Sequence, residues 1–186
     1  MGSLEIVCGP MFSGKSTTIL SRIATAEVLG WKYVIFTSSL DTRYSKDAHS
    51  IQTHDGRMID ATPCENLDEC FNHPLYPDAD IVIIEEAQFF HNLYQSVLRM
   101  VDEDAKKVII VGLDGDSQRK PFGEVLQCIP IADTVTRLSA YCCLCKDGTP
   151  APFTSLKGDF TPTNQIFVGG LESYQPVCRK HYNILN

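Results

Sequence analysis

The stretch GPMFSGKST, Gly9 to Thr17, decides how the rest of the chain is read. From Gly9 through Pro10, Met11, Phe12, Ser13, Gly14 and Lys15 to Ser16 it fits G-x-x-x-x-G-K-[ST] in full. Ahead of it, LEIVCG is a short apolar run closed by glycine, which reads as a buried strand. Behind it, KSTTILSRIATAEVLG carries apolar residues at helical spacing and stops at Gly30, which reads as a helix. The glycines let the loop backbone turn its N–H groups toward phosphate oxygens, and the helix N-terminus adds partial positive charge. Lys15 is then expected to reach the β- and γ-phosphates, and the Ser16 hydroxyl to hold Mg²⁺. The stretch implies binding of a nucleoside triphosphate and leaves the acceptor open.

Farther along, KYVIFTS, ADIVIIEE, KKVIIVGLDGD and a segment near DTVTRL read as further strands. Helical patterns lie between them, over ENLDECF, QFFHNLYQSVLRMVDED and FGEVLQCI. Buried strands alternating with helices predict an α/β fold, a P-loop NTPase-type parallel sheet flanked by helices. The polar, turn-rich run DTRYSKDAHSIQTHDGRMID reads as a long surface loop. From about Cys142 the texture changes, and CCLCKDGTPAPFTSLKGDFTPTNQ is rich in Cys, Gly, Pro and Thr with no helical period. We expect two units: residues 1–140 as the nucleotide-binding domain, and 141–186 as a small zinc-binding lobe with a substrate-closing loop.

Composition narrows the function classes. The chain has 186 residues, 44% of them hydrophobic and 21% charged, enough to bury a core. Its net charge of −7 argues against sequence-independent binding of nucleic acid, which depends on Lys and Arg. No apolar run approaches the roughly 18 residues needed to span a membrane. No signal-peptide pattern opens the chain, and Ile6 stands where a myristoylation signal has Ser or Thr. The expected compartment is the cytoplasm, where thiols stay reduced.

A P-loop works with an acidic partner at the end of a neighbouring buried strand. IVIIEE supplies Glu85 and Glu86, and two adjacent carboxylates can divide the labour. One faces the metal, and the other takes a proton from the acceptor. Of the next aromatic pair, Phe89 and Phe90, one is expected in the core and the other on the wall of an acceptor pocket. Arg119 and Lys120 either contact phosphate or form a solvated charge pair.

Cys142-x-x-Cys145 and Cys178-x-x-His181 are two short pairs, each able to give two ligands to one metal. Three thiolates and an imidazole make a closed, structural Zn²⁺ set. Cys143 competes with Cys142, which is preferred because it restores the x-x spacing. Cys8, Cys64, Cys70 and Cys128 read as buried small hydrophobes.

Taken in order, GPMFSGKST, DTRYS…THDG, EEAQFF, LDGDSQRKPFG, CCLC and VGGLESYQPVCRKH resemble the thymidine kinases of the cellular cytosolic and poxvirus-like type. The resemblance runs from about Leu4 to Tyr182. It implies transfer of the γ-phosphate of ATP to the 5′-hydroxyl of thymidine, usually in a homotetramer, with dTTP as a feedback inhibitor. By the same resemblance Glu86 is the catalytic base, and Gln88, in the same motif, stands with Glu85 among the ATP- and phosphate-binding residues. Asp41, Thr42 and Arg43 lie near the nucleotide. Gln165, Ile166, Phe167, Val168, Gly169 and Tyr174 belong to a loop that closes over thymidine, reading the base largely through backbone groups. Glu85 stands where many members have Asp, Ala87 where Gly is usual, and Ser117 where an aromatic often contacts the pocket. The segment before Gln165 is longer than in the cellular relative, with Lys157 nearest to where an Arg is frequent.

Two other readings use the same residues. One is a P-loop ATPase motor or switch with a zinc interaction module. The other is a non-catalytic sensor of thymidine nucleotides, against which the intact Lys15, Ser16 and Glu86 speak.

Overall fold

The computed structural model describes residues 1–40, 50–52, 58–158, 169–170 and 172–185. The chain opens with strand β1 (Ser3–Cys8), the phosphate-loop stretch and helix α1 (Lys15–Leu29). Strands β2 (Tyr33–Ser38), β3 (Ser50–Gln52), β4 (Met58–Asp60) and β5 (Thr62–Cys64) follow, then a single turn, α2 (Asp68–Phe71). Next come β6 (Ile81–Glu85), α3 (Leu93–Leu98), β7 (Lys107–Gly112) and β8 (Thr134–Arg137).

Six of these strands form one sheet in the order β5-β2-β6-β7-β1-β8, with every pairing parallel. Alternation along the strands sorts the core into two layers. Leu4, Ile6, Val34, Phe36, Val82, Ile84, Val108 and Ile110 pack on one face with Leu93, Val97 and Met100. Val7, Ile35, Ile83, Ile109 and Val111 pack on the other with Ile19, Ile23 and Ala26 of α1. A strand buried on both faces reads as an unbroken apolar run, which is why IVIIE and KVIIVG were legible. Cys8, Cys64, Cys70 and Cys128 are all buried, as small hydrophobes are.

Two readings need correction. The polar run expected to be one long surface loop contains an antiparallel pair, with Ile51 opposite Ile59; three-residue strands are too short to show a period. The helix expected over QFFHNLYQSVLRMVDED is broken into a 3₁₀ turn (Ala87–Phe89), α3 and a π turn (Arg99–Glu103). The break falls at Phe90, whose backbone is extended and whose ring is buried. One further element, the helix α4 (Arg179–Leu185), lies where the sequence pattern carried no assignment.

Beyond β8 lie β9 (Ala140–Tyr141), β10 (Pro150–Ala151), β11 (Phe153–Leu156) and β12 (Tyr174–Val177), which form two small antiparallel pairs. With α4 they enclose a separate small core of Ala140, Cys142, Ala151, Val177, Cys178 and Tyr182. So small a core calls for a staple. Among the described residues, no helix is long and apolar enough to cross a membrane.

Candidate active site and metal centre

The loop between β1 and α1 leaves the sheet at its carboxyl edge, where open α/β sheets bind ligands. Gly9 has φ +148°, and a Cβ there would lie 2.6 Å from the Leu138 carbonyl oxygen, so only glycine lets the two backbones approach. Gly14 precedes α1 and contributes no side-chain cap, which leaves the first amides of the helix for a ligand. The Lys15 ammonium folds back on the loop, donating to the carbonyls of Pro10 at 2.8 Å and Gly9 at 3.3 Å. The Ser13 hydroxyl is buried and has no hydrogen-bond partner among the described residues. An unsatisfied polar atom in such a loop fits an anionic ligand.

One cleft gathers Met11, Phe12, Ser13, Gly14, Lys15 and Ser16 against Glu85, Glu86 and the end of β7 at Gly112 and Leu113. Strand order explains this convergence. β7 separates β1 from β6, so the loop after β1 and the carboxylates ending β6 face each other across its tip. Glu85 is buried and accepts a hydrogen bond from the Thr37 hydroxyl at 3.1 Å. Glu86 is half-buried, with φ +51° and ψ +41°, a left-handed conformation that non-glycine residues seldom adopt. Its carboxylate accepts from the Gln88 side-chain amide. The Ser16 hydroxyl and the Glu85 carboxylate line the same cleft and are hard oxygen donors of the kind Mg²⁺ takes.

The other expected site residues are spread more widely. Phe90 goes into the core, while half-buried Phe89 meets Phe122 edge to face at 5.6 Å. Gly169 and Tyr174 are buried at the approach to β12. Ser117 is not among the residues lining the cleft, and its carbonyl accepts the Tyr182 hydroxyl at 2.7 Å. The Arg119 guanidinium lies 4.1 Å from the centre of the Tyr182 ring, a cation–π contact, and Lys120 is exposed. Asp41, Thr42, Arg43, Gln165, Ile166, Phe167 and Val168 lie outside the described residues.

Sequence reasoning missed two supports. The Thr154 hydroxyl accepts the Met11 N–H at 2.9 Å in a buried contact, tying β11 to the phosphate loop. Nothing local marks Thr154, whereas Thr37 could have been noticed as the polar residue near the end of an apolar strand.

Cys142, Cys145, Cys178 and His181 bring their ligand atoms within 4.8 Å of one another. His181 Nδ1 lies 3.4 Å from each of the three sulfurs, and the Cys145 and Cys178 sulfurs are 3.8 Å apart. A tetrahedron with Zn–S bonds of about 2.3 Å has S···S edges of about 3.8 Å, so the donor set fits a metal of that size. Burial opposes ionisation of Cys142, but backbone N–H groups of Cys178, Cys145 and Leu144, with His181, outweigh it and bring the thiol down to about 6. Cys143, the competing residue, turns its sulfur to the Gln175 side chain instead.

Comparison with known proteins agrees with this geometry. The thymidine kinase family model matches residues 2–182. Thymidine kinase a of Arabidopsis thaliana is 46% identical over 187 residues, covering 97% of this chain and 75% of the relative. Thymidine kinase of Oryza sativa subsp. japonica is 42% identical over 188 residues, covering 97% of this chain and 66% of the relative. With a phosphate loop facing paired carboxylates, a Cys₃His cluster beyond them and a family match over nearly the whole length, the chain belongs to the thymidine kinase family.

Proposed function

We propose that this kinase transfers the γ-phosphate of ATP to the 5′-hydroxyl of thymidine in the cleft at the carboxyl ends of β1, β7 and β6. The observation that carries the reading is the meeting of Lys15 and Ser16 with Glu85 and Glu86 in one cleft. The loop amides from Met11 to Ser16 and the start of α1 hold the triphosphate, with Gly9 and Pro10 shaping the turn. Lys15 leaves the Pro10 carbonyl for the β- and γ-phosphates. Ser16 and Glu85 would hold Mg²⁺, which when bound neutralises phosphate charge. Glu86 accepts the 5′-hydroxyl proton as that oxygen bonds to the γ-phosphorus and the bond to the β-phosphate oxygen breaks, releasing ADP and dTMP. Asp41, Thr42 and Arg43 complete the nucleotide side. Phe89, Gly169 and Tyr174, with the 165–168 segment, form the nucleoside side, and Ser117 bounds it through its loop.

On this reading residues 1–140 carry the donor site. Residues 141–186 form a lobe stapled by Zn²⁺ on Cys142, Cys145, Cys178 and His181. A cytoplasmic homotetramer inhibited by dTTP accords with the family resemblance. Incubation with Mg·ATP and each nucleoside in turn should yield a monophosphate with thymidine. ATP hydrolysis without an acceptor would favour a motor or switch, and dTTP binding without turnover a sensor. Glu86→Gln should lower turnover roughly a hundred- to ten-thousand-fold with ATP binding retained; near-normal turnover would remove Glu86 as the base.

A further inference from the structure

Glu86 sits in a strained backbone conformation, which persists only where the surroundings over-determine it. Its neighbour two residues on, Gln88, is 3% exposed. The Gln88 side-chain amide spans two groups. Its Oε1 accepts the Leu113 N–H at 2.9 Å, and its Nε2 donates to the Glu86 carboxylate. The amide has only one workable orientation there. Leu113 N–H needs an acceptor and a carboxylate needs a donor, so a flipped amide would lose both bonds.

Two glycines close on Gln88. A Cβ at Gly112 would lie 2.7 Å from its Oε1. At Gly123, where φ is +59°, a Cβ would lie 2.2 Å from its backbone carbonyl oxygen. The end of β7 therefore closes on the Gln88 side-chain amide, and the loop at Gly123 closes on its backbone.

We propose that Gln88 is a positioning residue for the reaction, a buried amide anchored on Leu113 that fixes the Glu86 carboxylate toward the acceptor. The proposal rests on Glu86 being the base. A hydrogen bond donated to a carboxylate stabilises its charge. The charged side chains lining the cleft with Glu86, among the described residues, are Lys15 and Glu85. Both remain unchanged when Gln88 is altered.

Gln88→Glu separates positioning from a merely structural role. It keeps an acceptor for Leu113 N–H and replaces the donor facing Glu86 with a like charge. With the fold checked by far-UV circular dichroism, turnover at neutral pH should fall roughly tenfold or more, and the acid limb of the turnover–pH profile should move up by about one unit. A wild-type profile and turnover in this variant would overturn the proposal. If the variant does not fold, the wild-type enzyme supplies the test. The ¹⁵N-labelled Gln88 side-chain amide signal should move with the same midpoint as the acid limb, and an unmoved signal would overturn the proposal. Glu86→Gln run alongside keeps the two ideas apart. If Glu86→Gln retains turnover, the base assignment fails. If it is inactive while Gln88→Glu behaves as wild type, only the positioning role fails.

Discussion

The Tyr182 hydroxyl, one residue beyond the metal-ligand candidate His181, donates at 2.7 Å to the carbonyl of Ser117. The loop carrying Ser117 runs on from Leu113, whose N–H holds Gln88. The C-terminal helix therefore grips the same loop that steadies the wall of the cleft. Tyr182→Phe keeps the ring against Phe153 and under Arg119 and removes one hydrogen bond. We expect a loss of about 1 kcal/mol and a melting temperature lower by roughly 2–4 °C. Thermal denaturation followed by circular dichroism checks this, and an unchanged melting temperature would show the bond to be worth nothing.

Metal analysis of purified protein should find about one zinc per chain. The lobe core is small, and metal binding supplies folding free energy directly in such lobes. Chelation, or Cys145→Ser, should open residues after about 140 to limited proteolysis while the sheet persists. A zinc-free protein with a protease-resistant lobe would show that the four ligands only pack together.

Thr154→Val leaves the Met11 N–H buried without its acceptor. The expected cost is about 1–3 kcal/mol by urea denaturation. Because Met11 lies in the phosphate loop, the KM for ATP should rise as well. Loss of stability with an unchanged KM would mean that the loop holds its shape without β11.

Stability should fall on the alkaline side. Burial, then the hydrogen bond to Asp104, pushes the Tyr76 phenol well above its usual value, and burial pushes the Cys128 thiol up to about 12. For both groups the unfolded chain loses its proton first. Their contribution is complete below the unfolded values and is lost as pH rises toward the folded ones, by up to about 1.4 kcal/mol per unit and per group. Urea midpoints measured from pH 8 to 11 should decline, and Tyr76→Phe should flatten the part above about pH 10. An identical slope in that variant would assign the decline elsewhere.

Much of the fold was legible in local pattern. IVIIE and KVIIVG are apolar throughout because their strands are covered on both faces. GPMFSGKST between a strand and a helix marked the phosphate loop, and Cys178-x-x-His181 announced two ligands three residues apart. The broken helix after Glu86 was not legible, since its apolar residues keep helical spacing while buried Phe90 holds extended backbone.

What the sequence by itself determined is the inventory: alternating strands and helices, the loop, the paired carboxylates and the metal donors. Each is encoded by neighbours within a few positions, where periodicity and spacing act. Only the tertiary structure decided the supports of the site. Gln88 reaches Leu113 across 25 positions, Tyr182 reaches Ser117 across 65, and Met11 reaches Thr154 across 143. The first follows from the strand order β5-β2-β6-β7-β1-β8, which sets the end of β6 beside that of β7. The other two bring β11 and α4, which lie outside that sheet, onto the loops beyond its strands. No periodicity carries that order, because it depends on which buried faces cover one another and not on where apolar residues fall along the chain.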